Sequence, residues 1–519
     1  MTELPVIART IGVGPPATGK SPAWAKVIDQ TKCIGCHACT TACKSENQVP
    51  VSVTRTYVKS IDAGLFPQAR RSFQVTRCNQ CVDAPCVAAC PTSAMYTRAD
   101  GIVDFDKQAC IGCKACMAAC PYDAIFINPD DHCAEKCNFC AHRLEVGLEP
   151  ACVVVCPTQA IVVGDLNDPD SEVARVVGRQ PVTVRRPEKG TRPKLFYKGA
   201  TELTLDPLAA DRPPGGIYAW SEQPTGKQVI TGMSGHNSSA AAVISYDVAH
   251  RAPWDWRVSL YTWTKGIAAG AYLVALLLVL VGRLGSDDPL WVWTAPLIAV
   301  VLLAVTAGLL VWDLEHPERF FYILTRPQWR SWLVRGGVIL GGYAAVLGLH
   351  VLAGLFGVPG LRTGAAVAGL PLALGTAVYT AYLFAQAKAR DLWQNPLLPP
   401  HLAVQAILAG AAALLPFATW HSDAAVLGAL GWTVGSAALT HLLFVFGELS
   451  LPHGTAHARL AVYEMSAGRF RGFFWTGIVL VVAGLAAPWL GAWVALPVLA
   501  GLALHEHAYV QAGQSVPLA

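Results

Sequence analysis

Cys33-Ile34-Gly35-Cys36-His37-Ala38-Cys39-Thr40-Thr41-Ala42-Cys43 decides the reading of this chain, because it returns as Cys110-Ile111-Gly112-Cys113-Lys114-Ala115-Cys116-Met117-Ala118-Ala119-Cys120. Two-residue spacers hold three thiolates on one tight loop, and the x3 step, one helical turn, sends the fourth thiolate to a different centre. The repeat begins earlier, at Asp29 and Asp106, four residues before the first cysteine of each copy. A variant, Cys78-x2-Cys81-x4-Cys86-x3-Cys90, supplies a third set, and Cys137-x2-Cys140-x11-Cys152-x3-Cys156 supplies a fourth. Sixteen cysteines thus make four sites of four thiolates, which suits four 4Fe-4S clusters. Zinc also takes Cys-x2-Cys, but in pairs and not in triplets closed by Cys-Pro. The leftover Cys133 reads as a small buried side chain in preference to an alternative ligand beside Cys137.

Working outward, all 17 cysteines of this 519-residue chain lie between Cys33 and Cys156, so its two halves have different jobs. A disulfide scaffold belongs to small secreted domains, and the first thirty residues show no apolar signal segment. Neither Arg70-Arg71 nor Arg185-Arg186 opens an export signal, so the thiols are expected reduced and bound to iron. Charged residues make up 14% and mean hydropathy is +0.40, unusual for a soluble protein, with the apolar excess after residue 257. A net charge of +4 is too small and too spread out for a nucleic-acid partner. The expected organisation is a tail over 1–30, a cluster domain over 31–164, a Pro/Gly-rich linker over 165–256, a membrane bundle over 257–511 and a tail over 512–519. Within the linker, which includes Arg212-Pro213-Pro214-Gly215-Gly216 and a Ser-rich run from Ser234 to Ser239, Pro193 to Tyr197 is expected as a short strand.

Apolar spans fall near 258–282, 290–312, 331–354, 364–386, 400–420, 424–449, 472–490 and 491–510. At 1.5 Å per residue each is long enough to cross a hydrocarbon core of about 30 Å. The last two are separated only by Pro488 to Ala492, so seven helices are the alternative to eight. If the cluster domain lies on side A, the side-A loops carry Arg319, Arg326, Arg330, Lys388, Arg390, Arg459, Arg469 and Arg471, against Arg283 and Arg362 on the opposite side. The positive-inside rule then puts the clusters in the cytoplasm, at the inner membrane.

Cys-Pro-x-x-Ala recurs at Cys90, Cys120 and Cys156, which resembles a ferredoxin unit duplicated. The order of four motifs over residues 30 to 200 resembles the four-cluster iron-sulfur subunits of molybdopterin oxidoreductases such as dimethyl sulfoxide reductase, polysulfide reductase and formate dehydrogenase. That resemblance implies cross-ligation: Cys33, Cys36, Cys39 with Cys156; Cys137, Cys140, Cys152 with Cys43; Cys78, Cys81, Cys86 with Cys120; and Cys110, Cys113, Cys116 with Cys90. One departure is Lys44 where proline would follow Cys43, which is expected to change the local turn and not the ligation. In the second half, Tyr261-x-Trp263-Thr264-Lys265-Gly266, Asp313-Leu314-Glu315-His316-Pro317-Glu318-Arg319-Phe320 and Ser331-Trp332-Leu333 are similar to the polysulfide-reductase-type membrane anchor. That family implies quinone chemistry without haem. His350, His441 and His505 are the alternative, as axial haem ligands facing each other from helices.

The fold class expected is therefore two-part: a duplicated ferredoxin-like α+β iron-sulfur domain followed by an all-α transmembrane bundle of about eight helices. Ionisable groups inside a membrane are expensive and usually functional. Lys265, with Tyr261 beside it, Arg335, Glu448 and the polar Gln405 all fall within roughly 10 Å of side A by helical rise, and mark a candidate quinone pocket. The bland readings are that Lys265 snorkels and that Arg335 and Glu448 pair with each other. The function expected is an oxidoreductase subunit: a wire between membrane quinone and a separate molybdopterin-dependent catalytic subunit acting on a sulfur oxyanion such as sulfite, or on formate. The competing class is an anchoring or ion-translocating module, with His441, Glu448, His505, Glu506 and His507 as a proton route.

Overall fold

The computed structural model describes residues 21–64, 67–211 and 242–519. The tail before residue 21, the Arg212 to Gly216 run and the Ser234 to Ser239 run lie outside the described residues. The chain divides into two compact units: one runs up to Arg251 and takes in Pro517–Ala519, and the other is Ala252–Val516.

Among the described residues, the first unit has eleven short strands: β1 (Trp24–Asp29), β2 (Thr56–Ala63), β3 (Arg70–Arg77), β4 (Met95–Thr97), β5 (Val103–Phe105), β6 (Ile125–Ile127), β7 (Ala134–Lys136), β8 (Ile161–Asp165), β9 (Val182–Thr183), β10 (Leu195–Lys198) and β11 (Val243–Tyr246). All six residues of β1 are buried, as befits a strand with neighbours on both edges: it pairs antiparallel with β8 and parallel with β10. The whole sheet runs β8-β1-β10-β9. A second sheet, β11-β2-β3, rests on an eight-pair antiparallel ladder from Thr56↔Arg77 to Ala63↔Arg70. Two hairpins, β4-β5 and β6-β7, follow the second and third cysteine sets. The helices here are short: α1 (Ala38–Glu46), α2 (Pro85–Ala89), α3 (Ala115–Ala119), α4 (Ala141–Leu144), α5 (Ala151–Val154), α6 (Glu172–Arg179) and α7 (Glu202–Leu205).

The expected linker is not structureless. It supplies α6, α7, β9, β10 and β11, and the first compact unit runs on to Arg251. The expected strand at Pro193 to Tyr197 is β10, and its buried Leu195 and Tyr197 alternate with half-buried Phe196 and Lys198, the period of a sheet strand. The chain returns to this unit at its end: Lys59 Nζ donates to Ala519 O at 3.1 Å, and an Arg185 Nη donates to Leu518 O at 3.0 Å.

In the second unit, the main helices are α8 (Trp256–Leu280), α9 (Ala295–Trp312), α10 (Tyr322–Thr325), α11 (Trp332–Leu355), α12 (Pro359–Gln386), α13 (Leu398–His421), α14 (Ala424–Ser450), α15 (Ala456–Ser466), α16 (Arg471–Val482), α17 (Ala487–Leu490) and α18 (Ala495–Ser515). Seven stretches among the described residues are long and apolar enough to cross a membrane, the second opening with a π-helical turn at Leu290–Thr294 ahead of α9. The seventh, Arg471–Ser515, is 45 residues and covers both of the last two expected spans. Short turns over 483–494 break it, and its arms α16 and α18 pack so closely that a Cβ on Gly501 would lie 2.7 Å from Gly477 O. It is one apolar segment folded back on itself.

The core of this unit forms where small residues let backbones meet. A Cβ on Gly270 of α8 would sit 1.7 Å from Ala406 O of α13, and one on Gly410 would sit 2.0 Å from the Gly270 carbonyl carbon. Glycine at both positions is what allows α8 and α13 to touch along their main chains, which brings Lys265 and Gln405 to the same level.

Candidate functional site

The cysteine loops owe their shape to backbone that ordinary residues avoid. Gly35 and Gly112 occupy the same place in the two copies, at φ 68° and 67°, and His37 and Lys114 follow at φ 60° in each. A Cβ on Gly35 would fall 2.2 Å from the Phe73 ring. The tight turn leaves amides pointing at sulfur: Gly112 N donates to Cys110 Sγ at 3.4 Å, and Gln80 N to Cys78 Sγ at 3.5 Å.

The Cys-Pro-x-x-Ala echo has a physical meaning as well. In all three copies the residue before the alanine is left-handed, at Ser93 (φ 56°), Asp123 (φ 48°) and Gln159 (φ 54°). That turn aims an amide back at the cysteine: Ala160 N donates to Cys156 Sγ at 3.2 Å, Ala124 N does the same for Cys120, and Met95 N reaches Cys90 Sγ at 3.4 Å. The proline also stops the helix, since α2 and α3 end before Cys90 and Cys120. At Cys43, with Lys44 in the proline position, α1 runs on to Glu46. The Lys44 ammonium then holds the next loop, donating to Pro50 O at 2.7 Å and Val51 O at 2.9 Å.

Thiols from different motifs lie close together. Asn47 Nδ2 lies 3.7 Å from both Cys43 Sγ and Cys140 Sγ, joining cysteines of the first and fourth motifs that are far apart in the chain. Burial pushes Cys43 upward, and Cys137, Cys152 and Cys140 add their repulsion. Burial raises Cys33 too, with Cys156 and Cys36 beside it, while Cys39 is pushed up to about 11 among Cys33, Cys156 and Cys152 despite the pull of Arg77. Cys81 is pushed up to about 12 by burial, then by Cys78 and Cys120, and Cys86 lies against the same three. Cys116 is raised by burial and by Cys113, Cys90 and Cys110. Those last four thiols line one small cavity. Cys133 is buried and its thiol donates to Lys107 O at 3.3 Å.

Buried thiols this close together, with no disulfide among them, resist ionisation unless a cation or a metal takes the charge. The buried cations fit that demand. Arg77 is 2% exposed, its Nη1 donates to Cys152 Sγ at 2.9 Å, and its Nε and Nη2 have no partner among the described residues. Lys26 is buried as well, with Nζ 3.9 Å from the same sulfur and 4.0 Å from the Phe139 ring centre. Burial works against ionising Cys152, but Arg77 and Lys26 outweigh it and hold this thiol below its ordinary value. A guanidinium with two unsatisfied donors between thiol groups is costly in protein alone and well placed beside an anionic cluster. The residues present therefore fit iron-sulfur clusters.

In the membrane unit, Lys265 is 1% exposed, donates to Ala377 O at 2.8 Å and lies 4.9 Å from the Tyr379 ring centre. Its charge partner is Glu506 on α18, whose carboxylate accepts from Thr262 and Gln405. Tyr261, one turn before Lys265, is buried beside Tyr379 and within electrostatic reach of Glu506. Gln405 Oε1 is buried with no partner among the described residues. Arg335 and Glu448 are not part of this group. Arg335 is exposed, stacks 5.0 Å from Trp332 and donates to Trp329 O at 2.8 Å, the snorkelling expected near a helix end. Glu448 accepts from Asn395 Nδ2 at 2.5 Å and faces His453, not Arg335. Sequence reading placed Glu506 in a proton route and overlooked it as the partner of Lys265, because the two lie at opposite ends of the bundle sequence and only helix packing joins them.

Comparison with known proteins defines the class first: a 4Fe-4S binding domain matches residues 24–45, a 4Fe-4S dicluster domain residues 70–166, and the family "Polysulphide reductase, NrfD" residues 246–505. The chain belongs to the polysulphide reductase NrfD family, with an iron-sulfur electron-transfer domain of the reductase type joined ahead of it. Its first half is 42% identical over 207 residues to a subunit of the tetrathionate reductase of Salmonella typhimurium, a match spanning 38% of this chain and 80% of that protein. It is 45% identical over 173 residues to one polypeptide of the polysulfide reductase of Wolinella succinogenes (33% and 91%), and 41% identical over 194 residues to protein NrfC of Escherichia coli (37% and 84%).

Proposed function

We propose that this chain carries electrons between a separate molybdopterin-dependent catalytic subunit and membrane quinone, through four 4Fe-4S clusters held by the sixteen cysteines in the cross-ligated groups above. Each cluster, when bound, supplies a one-electron carrier. The protein supplies the buried thiols, the amides aimed at sulfur, and the cations Arg77 and Lys26. The observation that carries the reading is the closeness of thiols distant in sequence, with Asn47 spanning Cys43 and Cys140. Relatives named for tetrathionate and polysulfide favour a sulfur compound, such as a sulfur oxyanion, over formate as the partner's substrate.

The quinone end of the path is Lys265 with Tyr261, joined by Glu506 and Gln405 in place of Arg335 and Glu448. A buried ammonium donates to a quinone carbonyl and steadies the charge that develops there on reduction. Glu506 is the adjacent group that can hold or release the proton the product needs. The cluster domain faces the cytoplasm, as the loop charges favour. Counting the folded-back arms α16 and α18 as two crossings makes eight, and an even number puts both ends of the bundle on one side.

The test is Lys265→Met with Glu506→Gln. Iron, sulfide and dye-linked activity of the complex stay normal, while electron transfer to a soluble quinone analogue falls at least about tenfold, roughly 1.4 kcal/mol of lost stabilisation. Undiminished quinone activity in both variants would remove this site from the path.

A further inference from the structure

Three helices of the membrane unit each turn a histidine toward a common point: His401 on α13, His441 on α14 and His505 on α18. One ring nitrogen from each lies within 4.8 Å of the other two, and His401 Nε2 stands 2.8 Å from His441 Nδ1. His441 is 0% and His505 3% exposed. His441 Nε2 and His505 Nδ1 have no hydrogen-bond partner among the described residues. Such atoms are costly where no water reaches them, on the order of a few kcal/mol each.

We propose that His401, His441 and His505 form a binding site for one zinc or copper ion. Unprotonated imidazole nitrogen suits zinc and copper, whereas magnesium and calcium demand oxygen, of which this donor set has none. Nitrogens bound tetrahedrally at about 2.0 to 2.1 Å stand about 3.4 Å from one another. The candidate ligand nitrogens here lie within 4.8 Å of one another, so rotations of the rings bring them to that spacing. Three protein ligands leave a fourth position open. Charge balance is at hand: Glu506 follows His505 in the chain, and both Glu506 and Glu448 act on Tyr509, whose ring stacks 6.4 Å from that of His505. The ion ties α13, α14 and α18 together one helical turn from Gln405, beside the Lys265–Glu506 pair.

The test uses the full chain, purified in detergent without oxygen and with its clusters intact, then dialysed against zinc chloride. Zinc, copper, iron and sulfide are counted by mass spectrometry and colorimetry, and X-ray absorption is read at the zinc or copper edge. The expected result is near one zinc or copper per chain with nitrogen neighbours at about 2.0 to 2.1 Å. His441→Ala loses that metal and keeps the sulfide of the wild type. If His441→Ala loses sulfide and so fails to fold, His401→Gln, at the partly exposed ring, gives the same reading. Wild-type protein without stoichiometric zinc or copper, equal metal in the variants, or sulfur neighbours that place the ion on cysteines, would overturn the proposal and leave three histidines hydrogen-bonded among themselves.

Discussion

Arg77 offers a sharp test of how the protein sets cluster potential. Its guanidinium is buried, 2.9 Å from Cys152 Sγ, with Cys39 and Cys137 also in its field. Reduction adds negative charge, so a fixed cation here favours the reduced state and raises the potential. Taking the charge as roughly 6 Å from the guanidinium and an effective dielectric constant of about 20, the interaction is about 332/(20 × 6), or 2.8 kcal/mol. For one electron, with about 59 mV per 1.4 kcal/mol, that is about 120 mV. Partial relaxation and water entry reduce it, so Arg77→Met is expected to lower one cluster's potential by roughly 60 to 120 mV. Arg77→Lys, which keeps the charge, should recover most of the shift. The assay is a redox titration of the purified chain followed by electron paramagnetic resonance, with iron and sulfide counted first so that a lost cluster is not read as a shifted one. Four unmoved potentials in Arg77→Met with full iron would refute the reasoning, and an equal drop in Arg77→Lys would show that packing, not charge, is at work.

Iron and sulfide should each approach about sixteen per chain, and Cys133→Ser should leave both unchanged, because its thiol serves a carbonyl and not a cluster. A tag after Ala519 should be protected from protease in intact cells and cut in inverted vesicles, the behaviour of a C-terminus on the cytoplasmic side; cleavage in intact cells would reverse the orientation. Gly410→Leu should lower thermal stability sharply or abolish assembly, since even a Cβ there would lie 2.0 Å from the Gly270 carbonyl carbon. Gly348→Ala, with no atom within 4 Å of its Cβ, should be close to neutral by the same thermal-melt measurement.

Cysteine spacing made the iron-sulfur half legible because the ligand pattern is local: three thiolates on one loop and a fourth one turn on. What spacing does not carry is which distant cysteine completes each group, and here the resemblance to a family supplied the pairing. The strand β10 was visible as an apolar run inside a polar stretch, but its place beside β1 was not, since parallel pairing is set by tertiary contacts. In the membrane half, length and hydropathy gave the spans. They also placed a break at Pro488 to Ala492, inside the fold-back over 483–494, but left open whether the last stretch is one span or two, because an apolar stretch reads alike whether it runs straight or bends. Nor did they say which face each helix turns inward. Arg335 and Lys265 both look like intramembrane charges in sequence, yet one is exposed against Trp332 and the other is 1% exposed against Tyr379.

That contrast points to a rule for finding the working charges of this chain. Arg335 makes a hydrogen bond to Trp329 O and can keep its charge near water, so its position asks nothing of a ligand. Arg77 holds two donors with no protein partner among the described residues, and Gln405 beside Glu506 holds an acceptor with none. A buried polar atom left open in this way lowers stability by about 1 to 3 kcal/mol unless something arrives to meet it. In the first unit the fitting arrival is an anionic cluster, which takes donors. Beside Lys265, under the function proposed above, it is a molecule whose oxygen accepts a proton on reduction and donates it on oxidation, which is the chemistry of a quinone and needs both an ammonium donor and an acceptor within reach. Under that proposal, unsatisfied donors in the first unit and a mixed donor–acceptor set in the second suit two kinds of electron carrier, whereas hydropathy alone ranks Arg77, Lys265 and Arg335 alike.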